Sequence, residues 1–344
     1  MIKNFFTSQS RCLIIAEIGV NHNGDMVLAR KMIDCAKKSG ADAVKFQTFT
    51  AEKLVSKETP KVKYQKETTS PGESHYEMLK KLELPYDEHP KLKEYSEKVG
   101  LTFISTPYDL ESAKFLLELN IDYFKTASAD LVDLPLQRLI AKSKKPVLIS
   151  VGMASLNEVR QTINIYNDAR STDIALLHCV SNYPCSDQSL NLNVIKTLQN
   201  NFKVPIGYSD HSIGNEASIL SIAMGIRVIE KHFTLDKSLP GPDHSASSTP
   251  KEFADLVSSV RRAEAMLGSP IKLCQPEEQQ MAQISRKSIY LSRSLKSGEC
   301  IESGHLELKR PGTGLMAKHI DSLLGKKVIK DLESGHQISL DDFK

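Results

Sequence analysis

LIIAEIGVNHNGDMVLARKMIDCAKKSG, residues 13–40, decides the fold. Residues 13–18 are apolar except for Glu17, which suits a parallel strand buried on both faces. Asn21-His22-Asn23-Gly24 ends the run. Residues 26–39 then carry Val27, Leu28, Met32, Ile33 and Ala36 on one stripe, the period of a helix, and Gly40 stops it. The stretch is one strand–helix unit.

The same unit recurs outward from it. Short apolar runs stand at 43–48, 101–105, 123–127, 147–151, 174–180, 204–209 and 227–233, with amphipathic stretches between them. After the eighth run, Thr249-Pro250-Lys251-Glu252 reads as a capping box with proline at the first helical position, and Phe253, Leu256, Val257, Val260 and Leu267 share one side of the helix that it opens. Eight such units in about 250 residues have the size of a (β/α)8 TIM barrel, an α/β fold. The alternative is an open doubly wound sheet, but no Gly-rich nucleotide loop follows the first strand.

One connection is long. Residues 51–86 hold many Lys and Glu and a Ser70-Pro71-Gly72 turn, and insertions of this length are more often functional lids than idle loops. In a barrel it would cover the mouth. The boundaries read as a barrel over 1–267, a polar linker over 268–285 with two prolines, and a small β-rich module over 286–344 with runs at 288–291, 306–308 and 327–329. That module is small enough to need support from the barrel or from another subunit.

Composition bounds the function. The chain has 344 residues, 40% of them hydrophobic and 25% charged, and a net charge of +3, too near balance to argue for nucleic acid. None of the six cysteines stands in a CxxC pair, which predicts reduced thiols in a cytoplasmic protein. Residues 1–11 lack the apolar core of a signal peptide, and no run approaches the ~18 apolar residues of a membrane span.

Polar residues interrupt the apolar runs near their C-terminal ends, the barrel face where active sites form. His211 and His232 end adjacent runs beside Asp210 and Glu230, and neutral imidazoles so paired suit a divalent metal. Lys45 and Lys125 interrupt buried strands, where an ammonium is costly without an anion. A structural ion pair with Glu17 or Asp130, a Schiff-base lysine, and a cradle for phosphate and carboxylate shared with Thr106, Ser128, Ser150 and Ser209 all fit them. His178 reads as core filling, and Arg310 by itself as a surface arginine.

The motifs together carry more than each alone. AEIGVNHNG (16–24), VKFQTF (44–49), FISTPYD (103–109), GYSDHSIG (207–214), VIEKHFT (228–234) and LPGPDHSAS (239–247) resemble the sialic acid (N-acylneuraminate) synthase family. SGECIESGHLELKRPGTGL (297–315) resembles the family's antifreeze-like (SAF) domain. The resemblance implies a TIM barrel that joins phosphoenolpyruvate to an open-chain N-acylhexosamine such as N-acetylmannosamine, releasing phosphate and giving a nine-carbon 2-keto acid; legionaminate- and pseudaminate-type synthases belong to the same family. It implies a divalent cation, manganese before magnesium or cobalt, on His211 and His232. It places phosphoenolpyruvate at Lys45, Thr106, Lys125, Ser128, Ser150, Ser181 and Ser209, and the sugar at Glu17, Gln47, Asp130, Tyr183 and Asp243, with Glu17 also handling a proton. It implies a domain-swapped homodimer in which Arg310 reaches the partner's site to hold the N-acyl group. The family's pattern has Asn or Ser at the position of Ser181 and, in some members, Glu at that of Asp130, and the chain departs from it where Cys185-Ser186-Asp187-Gln188-Ser189 replaces a TPYE-like run.

Two rival functions arise from the same residues. A Schiff-base aldolase would use Lys125 and survive metal removal. A sugar- or ice-binding protein would rest on the C-terminal module alone, yet the flat array of threonines that such binding favours is not evident.

Overall fold

The computed structural model describes residues 11–70 and 72–343. The reading of residues 1–10 and of Pro71 lies outside that range. Contacts divide the chain into two compact units, one through Gly268 and one from Ser269.

The first unit holds eight parallel strands: β1 (Leu13–Gly19), β2 (Ala43–Thr48), β3 (Thr102–Pro107), β4 (Phe124–Thr126), β5 (Val147–Ser150), β6 (Ile174–His178), β7 (Ile206–Asp210) and β8 (Val228–His232). Their ladders run in the order β3-β2-β1-β8-β7-β6-β5-β4, and β3 and β4, at the two ends of that order, pack against each other and close the barrel. No Rossmann-type reversal of strand order occurs, so the barrel reading holds over the open sheet.

Strand alternation explains how the site is placed. Leu13 and Ile15 point into the barrel with Ala43, Ile104, Tyr123, Leu148, Ala175, Leu177 and Val228, and pack as one inner cluster. Ile14, Ala16 and Ile18 point outward into a larger cluster against the helices. On six of the strands the next inward position is polar: Glu17 after Ile15, Lys45 after Ala43, Thr106 after Ile104, Lys125 after Tyr123, Ser150 after Leu148, and Glu230 after Val228. The barrel is thus packed below and polar at its C-terminal mouth. Register levels these groups, since Glu17 pairs with Lys45 on one side and with His232 on the other, and Gln47 pairs with Thr106.

The helix after β1 spans Met26–Lys38 and is capped by Asp25, whose carboxylate accepts from the Val27 and Leu28 amides. The closing helix, Pro250–Leu267, has the capping box between Thr249 and Glu252 and buries Phe253, Leu256 and Val260. No helix of the described residues is long and apolar enough to cross a membrane.

The long connection folds into three short helices, Ala51–Leu54, Lys63–Thr68 and His75–Leu82. Lys61 is buried within it and holds the turn between the second and third: its Nζ donates to Thr69 Oγ1 at 2.9 Å and to the Ser70 carbonyl at 3.0 Å, and pairs with Glu73 at 3.1 Å. Met78 and Leu82 pack on Val20 and Phe49 above the mouth, with Leu54, Leu79 and Tyr108 around them.

In the second unit, β9 (Ser288–Leu291) and β10 (Leu306–Lys309) pair antiparallel over a core of Ile289, Leu291, Leu295, Ile301, Val328 and Ile338. The run at 327–329 makes isolated bridges, Lys327 to Cys300 and Val328 to Phe343. Residues 268–285 include a helix, Gln279–Ser285.

Candidate active site

A cavity of about 430 Å³ opens at the barrel mouth. It gathers Glu17, Lys45, Gln47, Thr106, Lys125, Ser128, Ser150, Ser181, Tyr183, Ser209, His211, His232 and Asp243 from the sequence reading. Two candidates are not among its lining. Asp130 lies on the 3-10 turn Ser128–Val132, which brings Ser128 into the cavity, while the Asp130 carbonyl accepts from Gln137 Nε2 at 2.8 Å. Arg310 lies in the second unit, exposed, with Nε donating to the Ser285 carbonyl at 3.0 Å.

The floor is a buried charge cluster. Lys45 Nζ lies 2.9 Å from Glu17 and 3.6 Å from Glu230, and donates to Thr106 Oγ1 at 3.2 Å. Lys125 Nζ lies 3.6 Å from the same Glu230 oxygen and donates to the Thr126 carbonyl at 3.1 Å. Gln47 and Ser209 donate to Glu17 and Glu230 at 3.1 and 3.0 Å. Lys45 therefore makes the ion pair with Glu17, whereas Lys125 pairs with Glu230 and not with Asp130.

Burial pushes the Glu17 carboxyl up to about 7, with Glu230 adding to the rise and Lys45 opposing it. Burial also acts on Glu230, but Lys125 and Lys45 outweigh it and keep that carboxyl below its usual range. Burial lowers Lys125 more than Glu230 raises it. The floor thus sets two lysines against two carboxyls, Lys45 between Glu17 and Glu230 and Lys125 beside Glu230 alone.

Beside the ammoniums lie hydroxyls. Ser150 Oγ is buried without a partner. Ser128 Oγ accepts from the Gly152 amide at 3.0 Å and sits 3.1 Å from Cys179 Sγ. Gly152 is held to glycine by crowding: a Cβ there would lie 2.6 Å from Ser181 Oγ and 2.8 Å from Ser128 Oγ. The glycine lets two hydroxyls crowd into one small space, with its own N–H given to one of them.

His211 and His232 stand with ring centroids 5.6 Å apart. The His211 Nδ1–H donates to the Val180 carbonyl at 2.7 Å, which leaves Nε2 with its lone pair. Ser209 Oγ is 3.3 Å from that Nε2, but its proton is given to Glu230. Burial lowers His211 to about 4 and holds His232 well below the usual imidazole value, so both are neutral at pH 7. His232 Nδ1 is buried without a hydrogen-bond partner, 3.9 Å from Asp243 Oδ2. Two neutral imidazoles and an orphaned nitrogen fit a divalent cation. Among the described residues no group of three or more His, Cys, Asp or Glu is arranged around one, so oxygens from water or substrate would complete its coordination.

Tyr183 spans the cavity, its ring 4.2 Å from His211 and 5.6 Å from Tyr64 of the long connection. Tyr64, His75 and Tyr108 line the cavity and were not singled out from sequence. Tyr108 directly follows the FISTP run and was within reach of the strand-end argument. His75 and Tyr64 sit in a stretch whose charge masked them. Glu230 stood out in the sequence only as a neighbour of His232, and it proves to be the carboxylate that both lysines share. His178 is a core residue, as its sequence context implies, with Nε2 at 2.8 Å from the Leu190 carbonyl.

Buried lysines, carboxyls and imidazoles with shifted pKa values, gathered at the C-terminal mouth of a barrel, have the marks of an active site. Residues 32–272 match the NeuB family and residues 286–344 match the SAF domain; the chain belongs to the NeuB family. It is similar to N,N'-diacetyllegionaminic acid synthase of Legionella pneumophila, 45% identical over 95% of this chain and 93% of the relative. It is similar to human N-acetylneuraminate-9-phosphate synthase, 37% identical over 96% and 92%. The crystal structure of N-acetylneuraminic acid synthetase from Leptospira borgpetersenii superposes with a TM-score of 0.70 at 36% identity, covering 79% of this chain and 90% of that one. The chain is a synthase of the sialic, legionaminic and pseudaminic acid group.

Proposed function

We propose that the enzyme joins phosphoenolpyruvate to the aldehyde of an N-acylated amino sugar, releasing phosphate and giving a nine-carbon 2-keto acid. The observation that carries this reading is the pair of buried lysines side by side at the floor. Lys45 and Lys125 converge on one Glu230 oxygen, each 3.6 Å from it, and a substrate bearing both phosphate and carboxylate gives each lysine an anionic partner of its own. Thr106, Ser128, Ser150, Ser181 and Ser209 offer hydroxyls around it, and the Gly152 crowding gives the phosphate a fitted wall.

His211 and His232 would hold the divalent cation, manganese before magnesium or cobalt. When bound, it supplies Lewis acidity toward a carbonyl oxygen. The chain's own residues do the rest. Tyr183 gives the sugar a face to lie on. Gln47 orients the Glu17 carboxyl, whose Oε2 is buried without a partner and can take or give a proton near pH 7. Asp243, pushed up to about 6 by burial, is a second acceptor for sugar hydroxyls. Arg310 belongs to a second unit, and we propose that it completes the site of a partner subunit in a swapped homodimer.

The test is to incubate the protein with phosphoenolpyruvate, manganese and a panel of N-acylhexosamines, and to weigh the product. N-acetylmannosamine is the reference sugar. A nine-carbon keto acid and one phosphate per turnover support the reading; pyruvate transfer that survives a chelator counts against it. Burial lowers Lys125, which also suits a Schiff-base nucleophile. Borohydride trapping of pyruvate on Lys125 would establish that reading in its place.

A further inference from the structure

The floor of the cavity is charged, and its roof is not. The connection between β2 and β3 contributes Leu54, Val55, Val62, Met78, Leu79 and Leu82 to the lining. Its polar contributions, Tyr64, Gln65 and His75, are uncharged groups, and burial keeps His75 below the usual imidazole value. The connection has seven lysines, and none of them lines the cavity. Four of the seven are held in close ion pairs: Lys53 with Glu111 at 3.1 Å, Lys80 with Glu52 at 3.0 Å, and Lys61 and Lys81 both with Glu73 at 3.1 and 2.6 Å. A segment that reads as basic in sequence presents an apolar face to the substrate.

Resting on the proposed condensation, the direction of the sugar can be assigned. Its aldehyde lies at the imidazoles and its chain runs along Tyr183 toward Tyr64, so the carbons farthest from the aldehyde end beneath the apolar roof. The adjoining groove, of about 490 Å³, meets the cavity at Met78, Leu82 and Pro242. It carries Glu67 and Glu73 against a single lysine, Lys81, which is already paired with Glu73. Among the described residues, no lysine or arginine of the connection lines the roof, and the one lining the groove is already paired. Hydroxyls at that end would be desolvated against carbon, whereas methyl and acetyl groups would gain by burial.

We infer that this roof selects an unphosphorylated amino sugar with apolar substituents, deoxy or N-acyl, on the carbons remote from the aldehyde, and rejects sugar 6-phosphates. Leu54, Val62, Met78, Leu79 and Leu82 are then specificity-determining residues, contributed by a segment outside the strand ends.

The experiment compares kcat/KM for N-acetylmannosamine, its 6-phosphate, its 6-deoxy analogue, and a 6-deoxy analogue with a second acetamido group. A phosphate without a counter-ion lowers kcat/KM by about 100-fold or more, and replacing the 6-hydroxyl by hydrogen raises it by about tenfold. Val62→Lys and Leu79→Lys each place an ammonium in the roof and raise the ratio of 6-phosphate to parent sugar by about tenfold or more. Val62 is 51% exposed, so its variant folds even where the half-buried Leu79 variant does not. A wild-type enzyme that prefers the 6-phosphate overturns the inference while leaving the condensation standing. So does a folded Val62→Lys variant, by circular dichroism, whose substrate ratio is unchanged. Absence of product from every sugar overturns the condensation itself, and the inference with it.

Discussion

Changing Lys125 to Met removes a charge that the fold holds at a cost. The ammonium is buried, and burial lowers its pKa below that of an exposed lysine. A lysine that binds its proton less tightly folded than unfolded destabilises the fold while charged, and Met fills nearly the same volume without the charge. Glu230 is not stranded by the change, because Lys45 stays 3.6 Å away and Ser209 still donates at 3.0 Å. The midpoint of thermal unfolding is therefore expected to stay within about 3 °C of wild type or to rise. Binding behaves oppositely. One charge-assisted contact to phosphate or carboxylate is worth about 1.5–3 kcal/mol, so the KM for phosphoenolpyruvate rises about 10- to 150-fold while that for the sugar moves less than about twofold. Calorimetric melting and initial rates with each substrate varied in turn measure both. A fall of the melting point by about 10 °C would show that the lysine is a structural ion-pair partner. A change confined to the sugar KM would refute its assignment to the phosphoenolpyruvate floor.

Four further outcomes are expected. His211→Ala and His232→Ala each abolish turnover and lower manganese retained after gel filtration, with circular dichroism unchanged; full activity of either in chelator-treated buffer refutes the pair as ligands. Gly152→Ala puts a methyl 2.6 Å from Ser181 Oγ and raises the phosphoenolpyruvate KM by about tenfold or more, whereas wild-type kinetics would show that the crowded hydroxyls do not meet the phosphate. His22 and His89 are buried and lowered from 6.5 to about 4, so the unfolded chain takes up their protons first; stability is full above pH 6.5 and falls as pH drops from there toward 4, by on the order of 2 kcal/mol apiece at pH 5, and an unchanged urea midpoint between pH 7 and 5 contradicts this. Arg310→Ala mixed with His211→Ala regains up to half the wild-type activity per mixed dimer if the arginine serves its partner's barrel, and regains none, once subunit exchange is confirmed by mass, if it serves its own.

The barrel was legible because its strands are buried on both faces, so each reads as an apolar run, and because inward positions turn polar at one height. Strand ends were read less well. The run at 174–180 stops as a strand at His178, since the chain then turns into the loop carrying Ser181 and Tyr183. Asp130 shows the limit of spacing. It is two residues from Ser128, but a 3-10 turn changes direction within that distance, and no periodicity announces it. The roof was hidden for a different reason. Its helices run for four, six and eight residues, too short for an apolar stripe to repeat, and their lysines dominate the composition. Which face a side chain takes there is decided by pairing with Glu52, Glu73 and Glu111, and those partners lie up to 58 residues away in sequence.

The Val180 carbonyl that accepts from His211 Nδ1 ties two kinds of recognition to one short piece of backbone. Ser181 and Tyr183 follow within three residues, so the hydroxyl beside Gly152, the ring between His211 and Tyr64 and the orientation of an imidazole are all set by residues 180–183. A displacement of this segment cannot loosen one of them and spare the others. A ligand that steadies the segment steadies the imidazole and the aromatic face with it.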